Sequence, residues 1–444
     1  MFSILYDIIS WGIYMNKERF NILIKNLIPA VLSTASIYFI SLVDGIIIGK
    51  GANTIALGGI NLAIPFVVSI TAVNLMISVG GATISSVCLG KNDKEGVDSC
   101  FQNTFVLIIL FGIITVLMGT VFIDFFIKIL NVDAIHLIYT KQYIFWWAIF
   151  GIFLSLYTFL MVFGRIYQFQ NLVAIANIIG MILNIFLDYV LVFPLKKGVA
   201  GSAFASGFST FIMFIILLSP FIKEKIIYVL FHIRINVKLI IEIIYRGLPI
   251  AIIQFKNSVL IFCMNYVLLK YIGNIAVDAF AIVSFIITFV MAIFNGASSG
   301  LQPLFGKACG ENNNDDLKYY YRAGNIFNIS GSVFLILIYL FFGKYICMAF
   351  GGTNETLSYA YSYLWKFSLG LIFAGCNFML SAFLYSTKQS KKAIIINIIN
   401  SFILNSIIII TLPIFFGKNI IIYSYCIYEL IALIVGYFIK RINI

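Results

Sequence analysis

Hydrophobic residues in this chain fall in long continuous runs, broken by short clusters of Gly, Pro, Asn and charged residues. Twelve runs stand out, near residues 22–48, 55–88, 99–123, 142–163, 171–193 and 199–221, then near 243–269, 277–301, 319–345, 357–385, 392–413 and 419–439. About 20 apolar residues are enough for a helix to cross the hydrocarbon core of a bilayer, so each run predicts one transmembrane helix. The strands of a membrane barrel would alternate apolar and polar positions, and these runs do not. The predicted fold class is all-α integral membrane, with twelve transmembrane helices in two pseudo-symmetric six-helix lobes.

The two sets of six repeat each other. Leu27 to Ala30 matches Leu248 to Ala251 early in each half, Leu89 to Asp93 matches Phe305 to Cys309, and the fifth runs end at Pro194 and Pro413. Six spans return the chain to its starting side, so the halves share one orientation and their pseudo-twofold axis lies along the membrane normal. The expected organisation is an N-terminal extension over 1–20, an N-lobe over 21–221, a cytoplasmic inter-lobe linker over 222–242 and a C-lobe over 243–444. Within the linker, Val229 to Lys238 reads either as a short interfacial amphipathic helix or as a plain connector. The leading residues, Met1 to Met15, lack the basic start and small-residue cleavage site of a signal peptide, and Met15 is an alternative start.

Composition sharpens this picture. The chain is 62% hydrophobic and 10% charged, against the roughly 25% charged residues of soluble domains. Its net charge of +12 comes from residues scattered at the ends of the runs, which signals topology rather than nucleic-acid binding. Of the 29 basic residues, 19 fall on one side if the N-terminus is cytoplasmic and nine on the other, which favours both termini inside. The seven cysteines form no CxxC pair and read as small buried hydrophobes. His136 and His232 sit in separate loops, so no histidine metal site or relay is expected. Nothing pairs a nucleophile with a base, and the chain is not expected to be an enzyme or to carry a cofactor. The bias toward Ile, Asn, Lys, Phe and Tyr suggests a bacterial source and hence the inner membrane.

Against this apolar background, Asp44 and Asp188 are conspicuous. An acid at the bilayer centre costs roughly 2.5 to 3.5 kcal/mol on insertion scales, so such residues usually face a cavity, bind an ion or carry a proton. Asn184 and Asp188 are spaced i to i+4 and share one helix face. Measured from Lys25 and Asn171, Asp44 and Asp188 lie roughly 28 and 26 Å along their helices at ~1.5 Å per residue, a matched depth that lets both face one cavity. Carboxylates, an amide carbonyl and a hydroxyl are hard oxygen ligands that suit an alkali cation or a proton equally. The intramembrane acids recognised at this level all belong to the N-terminal half. Lys256, with Gln254 and Asn257 beside it, either lines a substrate cavity or snorkels to the cytoplasmic interface. In a cavity it would favour anionic or zwitterionic cargo, whereas aromatics such as Tyr38, Phe39, Tyr157 and Tyr189 are candidates for stacking on flat cations.

The motifs as a set resemble a known family. Ile28 to Ala30, Val43 to Lys50, Gly80 to Lys94, Leu183 to Asp188, Gly198 to Ser206 and Gln302 to Gly306 are similar, in order and spacing, to the MATE (multidrug and toxic compound extrusion) transporters. The resemblance implies a two-lobed antiporter, driven by inward Na+ or H+, that exports cationic or amphipathic small molecules. It maps Asp44, Asn184, Asp188 and Ser206 onto the family's N-lobe cation site, the candidate Na+ ligands, and Pro29 onto a proline at which the first helix bends. There are departures: Tyr189 stands where the family often has proline, Arg165 to Asn171 differs from the usual turn, and Met264 occupies the repeat position of Asp44. A lipid-linked saccharide flippase is the alternative, but its cavity should hold several cationic residues where this chain offers Lys256. A channel would need a repeated filter loop. The expected partners are a small-molecule substrate and the lipid bilayer, with no nucleic acid, and the chain is expected to act as a monomer.

Overall fold

Each apolar run folds as helix, the state that pairs every backbone N–H and C=O within the segment where no water can. The structure, a computed structural model, describes residues 17–441 except 233 and 388. Residues 1–16, most of the expected N-terminal extension and the alternative start at Met15, lie outside the described residues. The helices are α1 (Lys17–Gly51), α2 (Thr54–Gly90), α3 (Lys94–Thr120), α4 (Ile123–Ile129), α5 (Leu137–Ile149), α6 (Gly151–Ile166), α7 (Gln170–Val192) and α8 (Gly198–Lys223). After a 3-10 turn at Ile226–His232 come α9 (Val237–Tyr271), α10 (Asn274–Gly310), α11 (Asn314–Met348), α12 (Asn354–Ser368), α13 (Leu371–Ser386) and α14 (Ser390–Ile398). A π-helical turn at Ile399–Leu404 leads into α15 (Asn405–Phe416), and a second 3-10 turn, Lys418–Tyr423, precedes α16 (Ser424–Arg441).

Among the described residues, eight helices are long and apolar enough to span a membrane alone, and three further pairs do so jointly across a bend. With α1, a helix of 35 residues, they account for the twelve predicted spans. The fourth and tenth runs, read as single spans, are bent: α5 meets α6 at 54° and α12 meets α13 at 45°. Close packing at glycine accompanies both bends, since a Cβ on Gly151 would press on Thr115 and one on Gly370 would run into the Tyr425 ring. The short α4 was not foreseen.

The repeat is more regular in the structure than in the matched motifs. The first three helices of each half begin at Lys17, Thr54 and Lys94 and at Val237, Asn274 and Asn314, each pair 220 residues apart. Asn92 and Asn312 both take left-handed backbone, at φ 55 and 53, and Asp93 and Asn313 cap the following helices. The structural partner of Gly90 to Asp93 is therefore Gly310 to Asn313, one helical turn beyond the Gly-Lys match at Phe305 to Cys309.

By packing, the chain forms two compact units. Unit 1 joins the chain up to Ile46 with the chain from Cys263 onward, and unit 2 is Ile47–Phe262. The sequence repeat divides the chain between α8 and α9, whereas packing divides it within α1 and within α9. In unit 2, Phe101 on α3 meets Phe159, Phe163 and Phe221 in one aromatic core. The first half of α9 belongs to that unit because Ile243, Gly247 and Ala251 form a buried i+4 stripe. There α9 and α2 touch backbone to backbone: a Cβ on Gly80 would strike the Ile243 carbonyl, and one on Gly247 the Met76 carbonyl. In unit 1, Leu23 and Leu27 of α1 pack with Leu301, Phe305 and Tyr320. Gly296 and Gly300 let α10 approach Ala30 and Asn26, and Arg19 pairs with Asp316 at 2.7 Å.

The linker forms a connector with a 3-10 turn. Two adjacent amides of α3 hold it: Gln102 donates to the carbonyls of Val229 and His232 at 2.8 and 2.9 Å and accepts from the Arg234 N–H. Asn103 donates to the Arg234 carbonyl at 3.0 Å and accepts from the Asn236 N–H at 2.8 Å. These bonds tie the start of α9 to unit 2.

Candidate ion and substrate site

On α7 the buried positions are Val173, Ala176, Gly180, Asn184, Asp188 and Val192, a stripe at i+3 and i+4. Ile175, Ile178, Ile182, Phe186 and Tyr189 are exposed between them. The polar pair therefore faces the interior of unit 2 while the apolar face is free to meet lipid, the arrangement expected of functional polar groups in a membrane helix. Asp188 is fully buried and Asn184 nearly so. Gly180 brings α7 against Met213 of α8. A turn away along α7, the Asn184 amide nitrogen donates to the Ser206 hydroxyl at 3.3 Å. That bond leaves Asn184 Oδ1 buried without a hydrogen-bond partner. A buried orphan carbonyl beside a hydroxyl, one turn from a carboxylate, is a donor set that fits a small hard cation.

The structure thus brings Asn184 and Ser206 into contact and puts Asp188 on their face. Asp44 belongs to unit 1, half-buried on α1, where the adjacent Gly45 packs against Phe285 and Phe350. Tyr38 lies on the same helix and is half-buried. Pro29 is exposed within an unbroken α1, where its missing N–H leaves the Lys25 carbonyl without its i+4 donor. Gln254, Lys256 and Asn257 are half-buried on the stretch of α9 in unit 2. The next residue, Ser258, is buried and donates to the Pro65 carbonyl of α2 at 2.9 Å. Of the proposed stacking aromatics, Tyr189 points outward at 57% exposure, and the Tyr157 hydroxyl donates to Asn177 at 2.5 Å.

Intramembrane acids are not confined to the N-terminal half. Glu429 on α16 is fully buried and Asp278 on α10 nearly so. Glu429 sits in the stripe Tyr425, Glu429, Ala432, Leu433, Gly436 that turns inward, while Leu430, Ile434 and Phe438 are exposed. From α13, the Asn377 amide donates to Glu429 Oε2 at 2.7 Å and to its backbone carbonyl at 3.0 Å. The signal for Glu429 was present: an acid in the apolar run Tyr425 to Val435 meets the same test as Asp44.

The family profile described as MatE matches this chain twice, over residues 29–190 and 249–411. The chain belongs to the MatE family. The resemblance read from the motifs thus holds at family level. Within the family, it is 25% identical over 431 residues to the multidrug export protein MepA of Staphylococcus haemolyticus, covering 94% of this chain and 90% of the relative. It is 23% identical over 354 residues to the probable multidrug resistance protein YoeA of Bacillus subtilis, covering 76% and 75%. A solved multidrug resistance MATE family transporter of the MOP superfamily, in its inward-facing conformation, superposes with a TM-score of 0.83 at 20% identity, covering 93% of this chain and 97% of that one. The fold class is accordingly that of MATE transporters, a multi-pass membrane protein with twelve helices in two lobes.

Proposed function

We propose that this MatE-family chain is a cation-coupled antiporter that exports amphipathic or cationic small molecules. The observation that carries the reading is the inward stripe of α7, where Asn184, held by Ser206 at 3.3 Å, and the buried Asp188 form a hard-oxygen site on a helix whose other face is apolar. Asp44 contributes a second carboxylate in the transport cycle. Binding of Na+ or H+ neutralises the site and favours the state that releases substrate, so ion and substrate lower each other's affinity by linkage. Pro29 supplies the point at which α1 bends, because the Lys25 carbonyl lacks its helical donor. Tyr38, Gln254, Lys256 and Asn257 line the substrate path. The protein works in a bacterial inner membrane with both termini cytoplasmic, as the excess of basic residues at those ends favours. The names of the relatives, a multidrug export protein and a probable multidrug resistance protein, support the cargo class.

The test is efflux of a fluorescent cationic dye from proteoliposomes under a sodium gradient or a proton gradient imposed separately, with Asp188→Asn as control. Efflux that follows one gradient and is lost in the variant is the expected result and names the ion. Gradient-independent behaviour of folded protein would overturn the reading.

A further inference from the structure

We infer that Glu429 is a proton-binding site of unit 1, separate from the α7 stripe and built from α13 and α16. Three observations meet there. Glu429 is fully buried at the centre of the inward face of α16, inside a membrane span. Its Oε2 accepts from Asn377 Nδ2 at 2.7 Å, while Asn377 itself is 4% exposed and its Oδ1 is buried without a hydrogen-bond partner. Tyr425, one turn earlier on α16, interacts with the carboxylate and is locked in place by stacking on Phe367 at 4.0 Å between ring centroids.

An amide beside a buried carboxyl serves both protonation states. With the carboxylate charged, Asn377 Nδ2 donates to it, as observed. When a proton adds to a Glu429 carboxylate oxygen, the acid becomes a donor, and rotation of the Asn377 amide presents Oδ1 as its acceptor. The orphaned Oδ1 is then satisfied and the charge is removed from the membrane interior. Interhelical polar contacts return about 0.6 kcal/mol each on average, against roughly 2.5 to 3.5 kcal/mol for an acid at the bilayer centre, so taking up a proton relieves a cost that such contacts only partly offset.

Tyr425, Cys426 and Tyr428 of its own helix interact with Glu429, and none of them carries positive charge. Asn377 faces it from α13. Of the lysines of neighbouring elements, Lys391 and Lys418 are exposed, Lys366 of α12 donates to Ser362 and lies over the Trp365 and Tyr423 rings, and Lys392 of α14 donates to the Lys440 carbonyl. Lys440 at the end of α16 lies over Tyr321 and Phe383. Packed against α16 are also the π-helical turn and α15. The turn carries Asn400 and Ser401, whose side-chain oxygens are buried without partners, and π turns frequently mark functional positions in helices.

The experiment is infrared difference spectroscopy of the purified full chain during a pH titration in potassium buffer, following the carbonyl band of a buried protonated carboxyl. A band component that fades as pH rises, persists in Asp188→Asn and is lost in Glu429→Gln is the expected result. Asn377→Leu removes the donor to the charged form, so the midpoint of that component rises by about one pH unit or more. If Glu429→Gln does not fold, the Asn377→Leu midpoint decides. A full band in folded Glu429→Gln, or an unmoved midpoint in Asn377→Leu, overturns the inference. Loss of the band on replacing potassium by sodium at fixed pH also overturns it, in favour of a sodium site. Because Asp188→Asn serves as a control here, failure of this site and failure of the α7 site are distinguishable.

Discussion

Unit 2 and unit 1 are framed by helices of matching length, α1 with α9 at 35 residues and α2 with α10 at 37, yet they bury different polar groups. The residues 220 positions on from Asn184, Asp188 and Ser206 are Leu404, Ile408 and Cys426. Those 220 positions back from Asn377 and Glu429 are Tyr157 and Ser209. Backbone devices recur at the repeat distance: left-handed Asn92 and Asn312, the caps Asp93 and Asn313, and the helices that resume after the bends at Gly151 and Leu371. Local rules act alike wherever their pattern recurs, so the scaffold is shared. A buried polar pair needs a partner from another helix, and each unit meets that need at its own positions.

The largest expected effect lies where the two units cross their first helices differently. In unit 2, Gly247 of α9 meets Gly80 of α2, glycine to glycine. In unit 1 the repeat partner of Gly247 is the fully buried Leu27, and of the two repeat positions Gly300 alone is glycine, with Ala30 Cβ at 2.7 Å and the Asn26 carbonyl oxygen at 2.8 Å from its would-be Cβ. Gly247→Val should cost about 3 kcal/mol or more, because it drives side-chain atoms into the backbone, and Gly300→Val about 1 to 2 kcal/mol. Gly306→Ala, with nothing nearby, should stay within about 0.5 kcal/mol. Unfolding midpoints of the purified variants check the order, and a Gly247→Val protein as stable as its parent would break the proposed crossing.

Transport should separate the units next. Asp188→Asn is expected to slow gradient-driven efflux by at least about tenfold, equivalent to ~1.4 kcal/mol, with the unfolding midpoint little changed. Ser206→Ala removes one neutral hydrogen bond of about 1 kcal/mol and should cost about fivefold, while Ser206→Thr keeps the hydroxyl and the rate. Ser209→Ala sharpens the contrast. Ser209 lies 220 positions before Glu429 and its hydroxyl is buried without a partner, so its removal should leave efflux unchanged and stability equal or slightly higher. A transport defect in Ser209→Ala would mean that the two units use equivalent positions after all.

How much of this was legible in sequence follows the same division. The twelve spans were, because a run of about 20 apolar residues has one low-energy form in a bilayer. The inward face of α7 was, because Asn184 and Asp188 lie i to i+4. The bends at Phe150 and Leu369 were not, since both runs stay apolar through the break. The repeat register slipped by one turn at Phe305 because Gly-Lys recurs by chance four residues before the structural match, whereas the turn geometry at Asn92 and Asn312 has no such ambiguity. The packing of α1 with α10 and of α9 with α2 was hidden, as it rests on contacts far apart in sequence through glycines that resemble any others in a membrane helix.

The smallest expected effect tests the comparison in one connecting loop. Ahead of α5 in unit 2, Asp133 Oδ1 and His136 Nδ1 are 2.5 Å apart, three residues apart in sequence. Ahead of α12 in unit 1, 220 residues on, Thr353 and Thr356 pair through their hydroxyls at 3.0 Å, and Thr353 also caps the helix. Burial alone would raise the Asp133 carboxyl, but hydrogen bonding to His136, its charge and the Ile135 N–H outweigh it and hold the group below the ordinary carboxylate range. The folded chain therefore binds this proton less readily than the unfolded chain. Its stabilisation is complete above the ordinary value of about 4 and fades as pH falls through the lower folded value. Asp133→Asn should lower the unfolding midpoint by a degree or two, on the order of 0.5 to 1 kcal/mol in a chain of this size, at pH 7, and the gap should close on acidification. Thr353→Ala loses a helix cap worth about 1 kcal/mol, and no carboxylate takes part, so its deficit should be the same at both pH values. Two loops at equivalent positions then differ in pH response alone, which follows only if the repeat reuses the turn and replaces its chemistry.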